Sequence, residues 1–261
     1  MKQVCSLGGG IASTALFLMS LHGEIENPAD CAVFADTGAE LETTLNTINQ
    51  LTDYAKDFDV DVLITRSHLG NIIDNVLKPD SKVGDIPFYT KDEKGKPTQL
   101  SKYCTNEFKT YPIWKVFRKE FGATYKNPVT YWLGYTVGEI HRMKPAKRKY
   151  VIRRYPLIEK RIGRDECYRY LEKYGFTETA TSACWCCPYR RNVEYAIMTD
   201  EEHQKAVQLE SDVNERGMIT GKQKSELRIH KSLIPLSERP FENNDQTDLF
   251  DDMCDGGSCF T

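Results

Sequence analysis

Three consecutive glycines, Gly8, Gly9 and Gly10, follow a strand-like run at residues 3–7 and precede a helical pattern. Glycine lets the backbone approach an anion closely, and the first turn of a helix offers unpaired N–H groups and the positive end of the helix dipole. The glycine turn (residues 8–10) lacks the Gly-Lys-Ser/Thr of a Walker A loop and the G-x-G-x-x-G spacing of dinucleotide sites. It predicts a phosphate site of another kind, with a tight turn that binds nothing as the alternative.

Strand-like runs alternate with helical patterns, which is the order that parallel sheets produce. The runs rich in β-forming residues are 3–7, 32–35, 60–65 and 129–135. Between the second and third runs, apolar residues recur at helical spacing at Leu41, Leu45, Ile48 and Leu51. Further helices are predicted at residues 111–121, at 164–174 and from about Glu201. We predict an α/β fold, with a Rossmann-like parallel sheet covered by helices on both faces and a smaller cysteine-containing C-terminal region.

Composition changes along the chain indicate its organisation. We expect a main domain at residues 1–200, a helical extension at 201–237 and an acidic, mobile tail at 238–261. The chain has no apolar run long enough to span a membrane and begins without a signal-peptide pattern, so we expect no membrane partner and a cytoplasmic location. The net charge of -3 gives no global attraction to nucleic acid.

An acidic pair follows the second strand-like run, at Asp36 and Glu40. Ligand groups in open α/β sheets lie at the carboxyl ends of the strands, so we expect both carboxylates beside the glycine turn. There they could hold ribose hydroxyls, a base edge or a magnesium ion. The alternative is that they cap the N-terminus of the helix that follows.

Nine cysteines are better explained as thiols or metal ligands than as disulfides in a chain with no secretion pattern. Cys184 and Cys187, followed by Pro188, have the spacing that holds zinc or an iron–sulfur cluster in a tight turn. Three others, Cys5, Cys31 and Cys167, lie in apolar patterns and are expected in the core.

A basic run covers residues 142–154, where seven of thirteen residues are cationic and tyrosines lie close by. Such a run suits a phosphorylated substrate, a sulfate or a nucleic-acid backbone. A solvated basic loop explains it equally well.

Five segments occur in an order that resembles one protein family. They are the glycine turn, residues 34–40 (Phe-Ala-Asp-Thr-Gly-Ala-Glu), 104–109 (Cys-Thr-Asn-Glu-Phe-Lys), 133–142 (Leu-Gly-Tyr-Thr-Val-Gly-Glu-Ile-His-Arg) and 182–188 (Ser-Ala-Cys-Trp-Cys-Cys-Pro). Over roughly residues 2–195 the chain resembles the phosphoadenosine phosphosulfate (PAPS) reductase-like branch of the PP-loop, or adenine nucleotide alpha-hydrolase, superfamily. It looks like a phage-type variant with a Gly-Gly-Gly loop.

The family's usual loop reads Ser-Gly-Gly-x-Asp-Ser. Aligning its glycines with Gly9 and Gly10 puts Gly8 at the first serine and Ala12 at the aspartate, while Ser13 is retained. The metal or phosphate contact that the family's aspartate makes therefore has no counterpart at Ala12.

The resemblance implies a set of site residues and cofactors. The nucleotide-binding residues would be Ser6, Gly8, Gly9, Gly10, Ser13, Thr14, Asp36, Glu40 and Gly134. Substrate or phosphate contacts would come from Lys109, Glu139 and Arg142. Metal ligands would be Cys104, Cys184 and Cys187, with Cys186 as a further ligand. The implied cofactors are ATP with Mg²⁺ and a 4Fe-4S cluster, with Zn²⁺ or no metal as the alternatives.

The resemblance also implies an activity. The expected enzyme binds ATP, adenylates an acceptor with release of pyrophosphate, and supports sulfur transfer to a nucleobase or nucleic acid, using a sulfur donor or thioredoxin-like partner. One alternative is a sulfonucleotide reductase in which a tail cysteine, Cys254 or Cys259, attacks sulfur. Those two cysteines could instead be incidental residues of the tail. Another alternative is a nucleotide-binding module without catalysis, because the loop is altered at Ala12.

Overall fold

The computed structural model describes residues 1–79, 85–179, 182–220 and 225–241. The strands are β1 (Gln3–Leu7), β2 (Cys31–Asp36), β3 (Asp61–Arg66), β4 (Tyr89–Lys91), β5 (Pro97–Gln99), β6 (Val129–Trp132) and β7 (Val151–Arg154). The α-helices are α1 (Ile11–Leu21), α2 (Glu42–Lys56), α3 (Ile72–Leu77), α4 (Tyr111–Lys119), α5 (Pro156–Glu159), α6 (Arg164–Lys173), α7 (Asn192–Ala196) and α8 (Asp200–Thr220). A π-helix covers Thr105–Thr110, and 3-10 helices cover Val137–Arg142 and Leu236–Glu238.

Five strands form one parallel sheet in the order β3-β2-β1-β6-β7, and β4 pairs antiparallel with β5. The chain builds outward from β1 through β2 to β3, and then crosses back to place β6 on the other side of β1. Strand order therefore reverses between β1 and β6, and open α/β sheets bind ligands outside the carboxyl ends of the strands at such a point.

Both faces of the sheet are covered, because successive strand residues point to opposite sides. Cys5 and Leu7 of β1 pack in a core with residues of α1, α2 and α6. Val4, which points to the opposite face of the sheet, packs in a second core with Ile113 and Phe117 of α4. The predicted α/β fold with helices on both faces is confirmed.

A third core lies beyond the carboxyl ends of the strands. It joins α3 to α8 and to residues 182–188, the cysteine segment, with Ile72, Leu209, Trp185 and Cys186 among its buried members. The region after residue 200 thus packs directly on the cysteine segment. None of the described helices is long and apolar enough to cross a membrane.

The four predicted strands occur as β1, β2, β3 and β6, and the predicted helices occur as α2, α4, α6 and α8. Sequence analysis missed β7 because its residues Val151–Arg154 lie inside the basic run. β7 is an edge strand of the sheet, and Arg153 and Arg154 in it are half-buried, so its sequence need not be continuously apolar.

Candidate functional site

The glycine turn lies at the carboxyl end of β1 and leads directly into α1, with Gly10 at the N-cap. Gly9 has a φ of 69°, which favours glycine, and a side chain there would meet Thr44. The Ser13 hydroxyl donates to the Gly10 carbonyl oxygen at 3.0 Å and accepts from the Gly8 N–H at 3.2 Å. These two hydrogen bonds of Ser13 stabilise the conformation of the glycine turn.

The neighbouring strand β6 approaches the same turn closely. A Cβ atom built on Gly134 would lie 2.9 Å from the Cα and the N of Ser13, so this contact requires glycine. Thr14 is fully buried, and its hydroxyl has no hydrogen-bond partner within the described part of the chain. Ser6 accepts a 2.7 Å hydrogen bond from the Tyr131 hydroxyl, which ties β1 to β6. Ser6, Ser13, Thr14 and Gly134 are therefore brought together.

Ser182 covers the glycine turn. Its hydroxyl donates to the Gly8 carbonyl oxygen at 2.5 Å, and a Cβ atom on Gly10 would lie 2.8 Å from the Ser182 Cβ. All three glycines are buried, Gly9 against Thr44 and Gly10 against Ser182. The first turn of α1 carries no acidic residue, which leaves the positive end of its dipole uncompensated.

Asp36 is buried at the carboxyl end of β2, and both of its carboxylate oxygens accept hydrogen bonds from other residues of the chain. Its Oδ1 accepts from the Gly38 N–H at 2.8 Å, and its Oδ2 pairs with the Arg66 guanidinium at 2.5 Å. Neither Asp36 nor Glu40 caps α2, whose N-cap residue is Leu41 and has no side-chain cap. The capping alternative was therefore wrong.

Glu40 lies beside Cys184 and contacts its thiol. Its Oε1 accepts from the Thr37 hydroxyl at 2.7 Å and from the Cys184 thiol at 3.7 Å. Glu40 and Cys184 also form an antiparallel bridge, and the Trp185 N–H donates to the Ala39 carbonyl oxygen at 3.0 Å. This pairing fixes the cysteine segment against the end of β2.

Four cysteines line one small cavity, the thiol cavity, of about 30 Å³. The lining residues that carry its chemistry are Thr37, Cys104, Lys109, Cys184, Cys186 and Cys187. Cys104 directly precedes the π-helix Thr105–Thr110, in which Lys109 is buried. π-Helical turns are rare and occur often at functional sites. The sequence motif that begins at Cys104 did not reveal this geometry.

Two thiols of the cavity, Cys184 and Cys186, have a raised pKa and are held in their neutral form. Burial raises the pKa of the Cys184 thiol well above its usual value, and the Glu40 carboxylate raises it further, while Lys109 acts in the opposite direction. Burial likewise raises the pKa of the Cys186 thiol, with the nearby thiols of Cys187 and Cys104 adding to the effect. A thiol that is to act as a ligand here must lose its proton to the metal's charge.

The donor set suits a metal, but its present arrangement does not form a binding site. Thiolates are ligands for zinc and for iron–sulfur clusters, and four thiols line this cavity. As they are oriented, the described residues contain no group of three or more Cys, His, Asp or Glu that could hold a metal ion. The cavity has room for about one water-sized group, so a cluster would require the side chains to turn outward.

Glu139 and Arg142 lie just beyond the carboxyl end of β6 and pair with each other. Glu139 also accepts from the N–H of Thr136 at 3.0 Å, which caps the 3-10 helix Val137–Arg142. The buried Arg142 guanidinium lies 4.0 Å from the centre of the Tyr135 ring. Both side chains therefore have structural partners at the edge of the site.

The remaining cysteines divide into two groups. Cys5, Cys31 and Cys167 are buried in the cores, as predicted, and all seven described cysteines are thiols. Cys254 and Cys259 lie outside the described residues, as does most of the predicted acidic tail. Sequence analysis missed Ser182 and Thr37 as members of the site, although Ser182 lies two residues before Cys184 in the motif.

The site therefore consists of a glycine turn and a thiol cavity, linked by residues 182–184, of which Ser182 contacts the turn and Cys184 lines the cavity. The sequence was compared with models of known protein families and with curated proteins. It matches none of the family models and none of the curated proteins.

Proposed function

We propose that this chain is a PP-loop enzyme that binds ATP with Mg²⁺ at the glycine turn and activates an acceptor by adenylation. An oxygen of the acceptor attacks the α-phosphorus of ATP, and the bond to pyrophosphate breaks. A sulfur nucleophile from a donor protein then replaces the adenylated oxygen, and AMP leaves. The acceptor is a nucleobase or a nucleic acid.

The observation that carries this proposal is the contact between Ser182 and the glycine turn. The glycine turn, at the point where strand order reverses, would bind ATP for adenylation. The cavity with four thiols would serve the sulfur transfer. The hydrogen bond from Ser182 to Gly8 joins them two residues from Cys184. An adenylated oxygen held at the turn would lie beside the thiols that are needed for sulfur chemistry.

The chain's own residues would act mainly by position and charge. The N–H groups at the start of α1 would donate to the phosphates, and the Ser13 hydroxyl would exchange its bond to Gly10 for one to ATP. For this exchange the Ser182 side chain must move away from Gly8 and Gly10, with which it is in contact. Phosphate binding and the position of the cysteine segment would then be coupled.

A metal at the thiol cavity would be held by Cys104, Cys184 and Cys187, with Cys186 as a further ligand. A cluster with three thiolate ligands would supply an open coordination position for a sulfur or substrate atom. Lys109 would balance the negative charge of the thiolates, since it lines the same cavity.

Anaerobic purification, analysis of iron, sulfide and zinc, and measurement of pyrophosphate release from ATP would test the proposal. We expect ATP binding, pyrophosphate release with a nucleic-acid acceptor, and loss of a bound metal in the Cys184→Ser variant. ATP binding without pyrophosphate release, whichever acceptor is supplied, would indicate a nucleotide-binding module without catalysis.

Deletion of residues 245–261 separates adenylation from sulfonucleotide reduction. ATP cleavage should survive this deletion, because the glycine turn and the thiol cavity lie outside the deleted residues. Reduction of a sulfonucleotide by the intact chain, abolished by the deletion, would replace the proposal with the tail-cysteine mechanism of Cys254 or Cys259.

A further inference from the structure

Two separate segments place exposed cations on one surface. The six that define this basic surface are Lys115, Arg118 and Lys119 of α4, and Lys147, Arg148 and Lys149 before β7. Residues 111–119 and 143–154 contain no Asp or Glu. None of the six cations forms an ion pair with another described residue. The whole chain has a net charge of -3, so this positive charge is local.

Two cation–π contacts hold these two segments together. The Arg148 guanidinium lies 4.8 Å from the centre of the Trp114 ring, and the Arg118 guanidinium lies 5.8 Å from that of Tyr150. Each segment thus supplies a cation to an aromatic ring of the other. Trp114 and Tyr150 are partly buried against the core that holds Ile113 and Phe117, and part of each ring reaches the surface. Cations interleaved with accessible rings are typical of surfaces that bind single-stranded nucleic acid, where phosphates pair with the cations and bases stack on the rings.

The π-helix Thr105–Thr110, which runs directly into α4, connects the basic surface to the thiol cavity. Lys109 lines the thiol cavity, while the next residue, Thr110, lines a cleft between α4 and residues 146–153, which include Lys147 and Arg148 of the basic surface. Consecutive residues at the end of the π-helix therefore face the two regions. The π-helix thus links the cleft beside α4 to the thiol cavity.

We infer that the basic surface binds a single-stranded nucleic acid through its phosphodiester backbone and stacks bases on Trp114 and Tyr150. The phosphates of a strand match a cluster of exposed cations that form no ion pair with another described residue, and the rings favour a partner that has bases over an acidic peptide. The claim that this nucleic acid is the acceptor in the adenylation reaction rests on the proposed function. The claim that the basic surface binds it does not.

The test measures fluorescence anisotropy of labelled 20-nucleotide DNA and RNA strands with the full chain, without ATP, over a range of salt concentrations. The variant Lys147→Gln/Arg148→Gln/Lys149→Gln should bind about tenfold more weakly, and its log–log salt slope should be shallower by about 2. The control Lys91→Gln/Lys94→Gln/Lys96→Gln removes three exposed cations from the β4–β5 hairpin and should bind like the parent chain.

Equal binding by the two triple variants, or no binding by the parent chain, would overturn the inference. So would competition by poly-glutamate that is as effective as an unlabelled strand, because that would indicate an acidic protein partner. Trp114→Leu should weaken binding of the strands at least about fivefold while leaving inorganic polyphosphate binding unchanged. Its thermal unfolding midpoint would show whether the variant is folded.

A separate ATP-binding measurement distinguishes the two proposals. Strand binding without ATP binding would overturn only the proposed function. ATP binding and pyrophosphate release in a chain that binds no strand would overturn only the nucleic-acid surface.

Discussion

The hydroxyl of Ser182 donates a 2.5 Å hydrogen bond to the carbonyl oxygen of Gly8, 174 residues earlier in the chain. This bond closes the glycine turn and fixes the start of the cysteine segment. It is the direct physical link between the two parts of the candidate site.

Ser182→Ala should loosen this closure. The loss of one hydrogen bond lowers the free energy of unfolding by about 1 kcal/mol. Because the turn would open more easily, ATP should bind a few times more tightly than to the parent chain. Chemical denaturation and calorimetric titration with ATP would measure both effects, and Ser101→Ala, at an exposed position, is the control. Unchanged stability and affinity would mean that Ser182 does not hold the turn.

Gly134→Ala should disturb the glycine turn from the opposite side. The added Cβ would meet the Ser13 backbone at 2.9 Å, so α1 or β6 must shift, at a cost of about 1–3 kcal/mol in unfolding free energy. The affinity for ATP should also fall, because this shift disturbs the glycine turn. Gly138→Ala is the matched control, since its nearest neighbour would be the Thr136 hydroxyl at 4.0 Å. Similar unfolding curves for the two variants would contradict the close approach of β6.

Asp36→Asn and Arg66→Gln should differ in cost although they break the same ion pair. Arg66 is 71% exposed, so its removal should lower the unfolding free energy by less than about 1 kcal/mol. Asp36 is buried and both of its oxygens accept, so an asparagine there would place an amide donor against either the Arg66 guanidinium or the Gly38 N–H, at a cost of about 1–3 kcal/mol. Denaturant titration of both variants measures the difference. Equal costs would mean that the Asp36 carboxylate is not enclosed.

The core thiols should resist alkylation in the folded chain. Burial raises the pKa of Cys31 to about 11 and that of Cys167 to about 12, so both stay protonated at pH 8, where a pKa of 11 leaves about one thiolate in a thousand. Iodoacetamide labelling at pH 8 should modify them in urea but not in buffer, as read by peptide mass spectrometry. Below these pKa values, any labelling should rise with pH as thiolate forms. Fast labelling in buffer would show that the cores open.

Several parts of the fold could be predicted from short-range patterns. The β-forming runs identified β1, β2, β3 and β6, and the spacing of Leu41, Leu45, Ile48 and Leu51 identified α2. Gly122, with a φ of 57°, follows α4 closely, as the sequence indicated. These features depend on neighbours within one or two turns of the chain, and a single sequence records such neighbours directly.

The partners of the site residues depended on contacts between distant segments. From the sequence, Asp36 and Glu40 appeared equivalent, yet Asp36 pairs with Arg66 of the adjacent strand while Glu40 turns toward Cys184. The π-helix that brings Lys109 to the thiols was also not visible in the sequence.

The sequence by itself determined the α/β class, the position of the glycine turn after β1 and the residue types available for chemistry. Only the tertiary structure decided that Ser182 covers the turn and that four thiols share one cavity. The physical reason is that local periodicity specifies which residues face a core. The sheet order, through its crossover between β3 and β6, specifies which distant segments meet at the carboxyl ends of the strands.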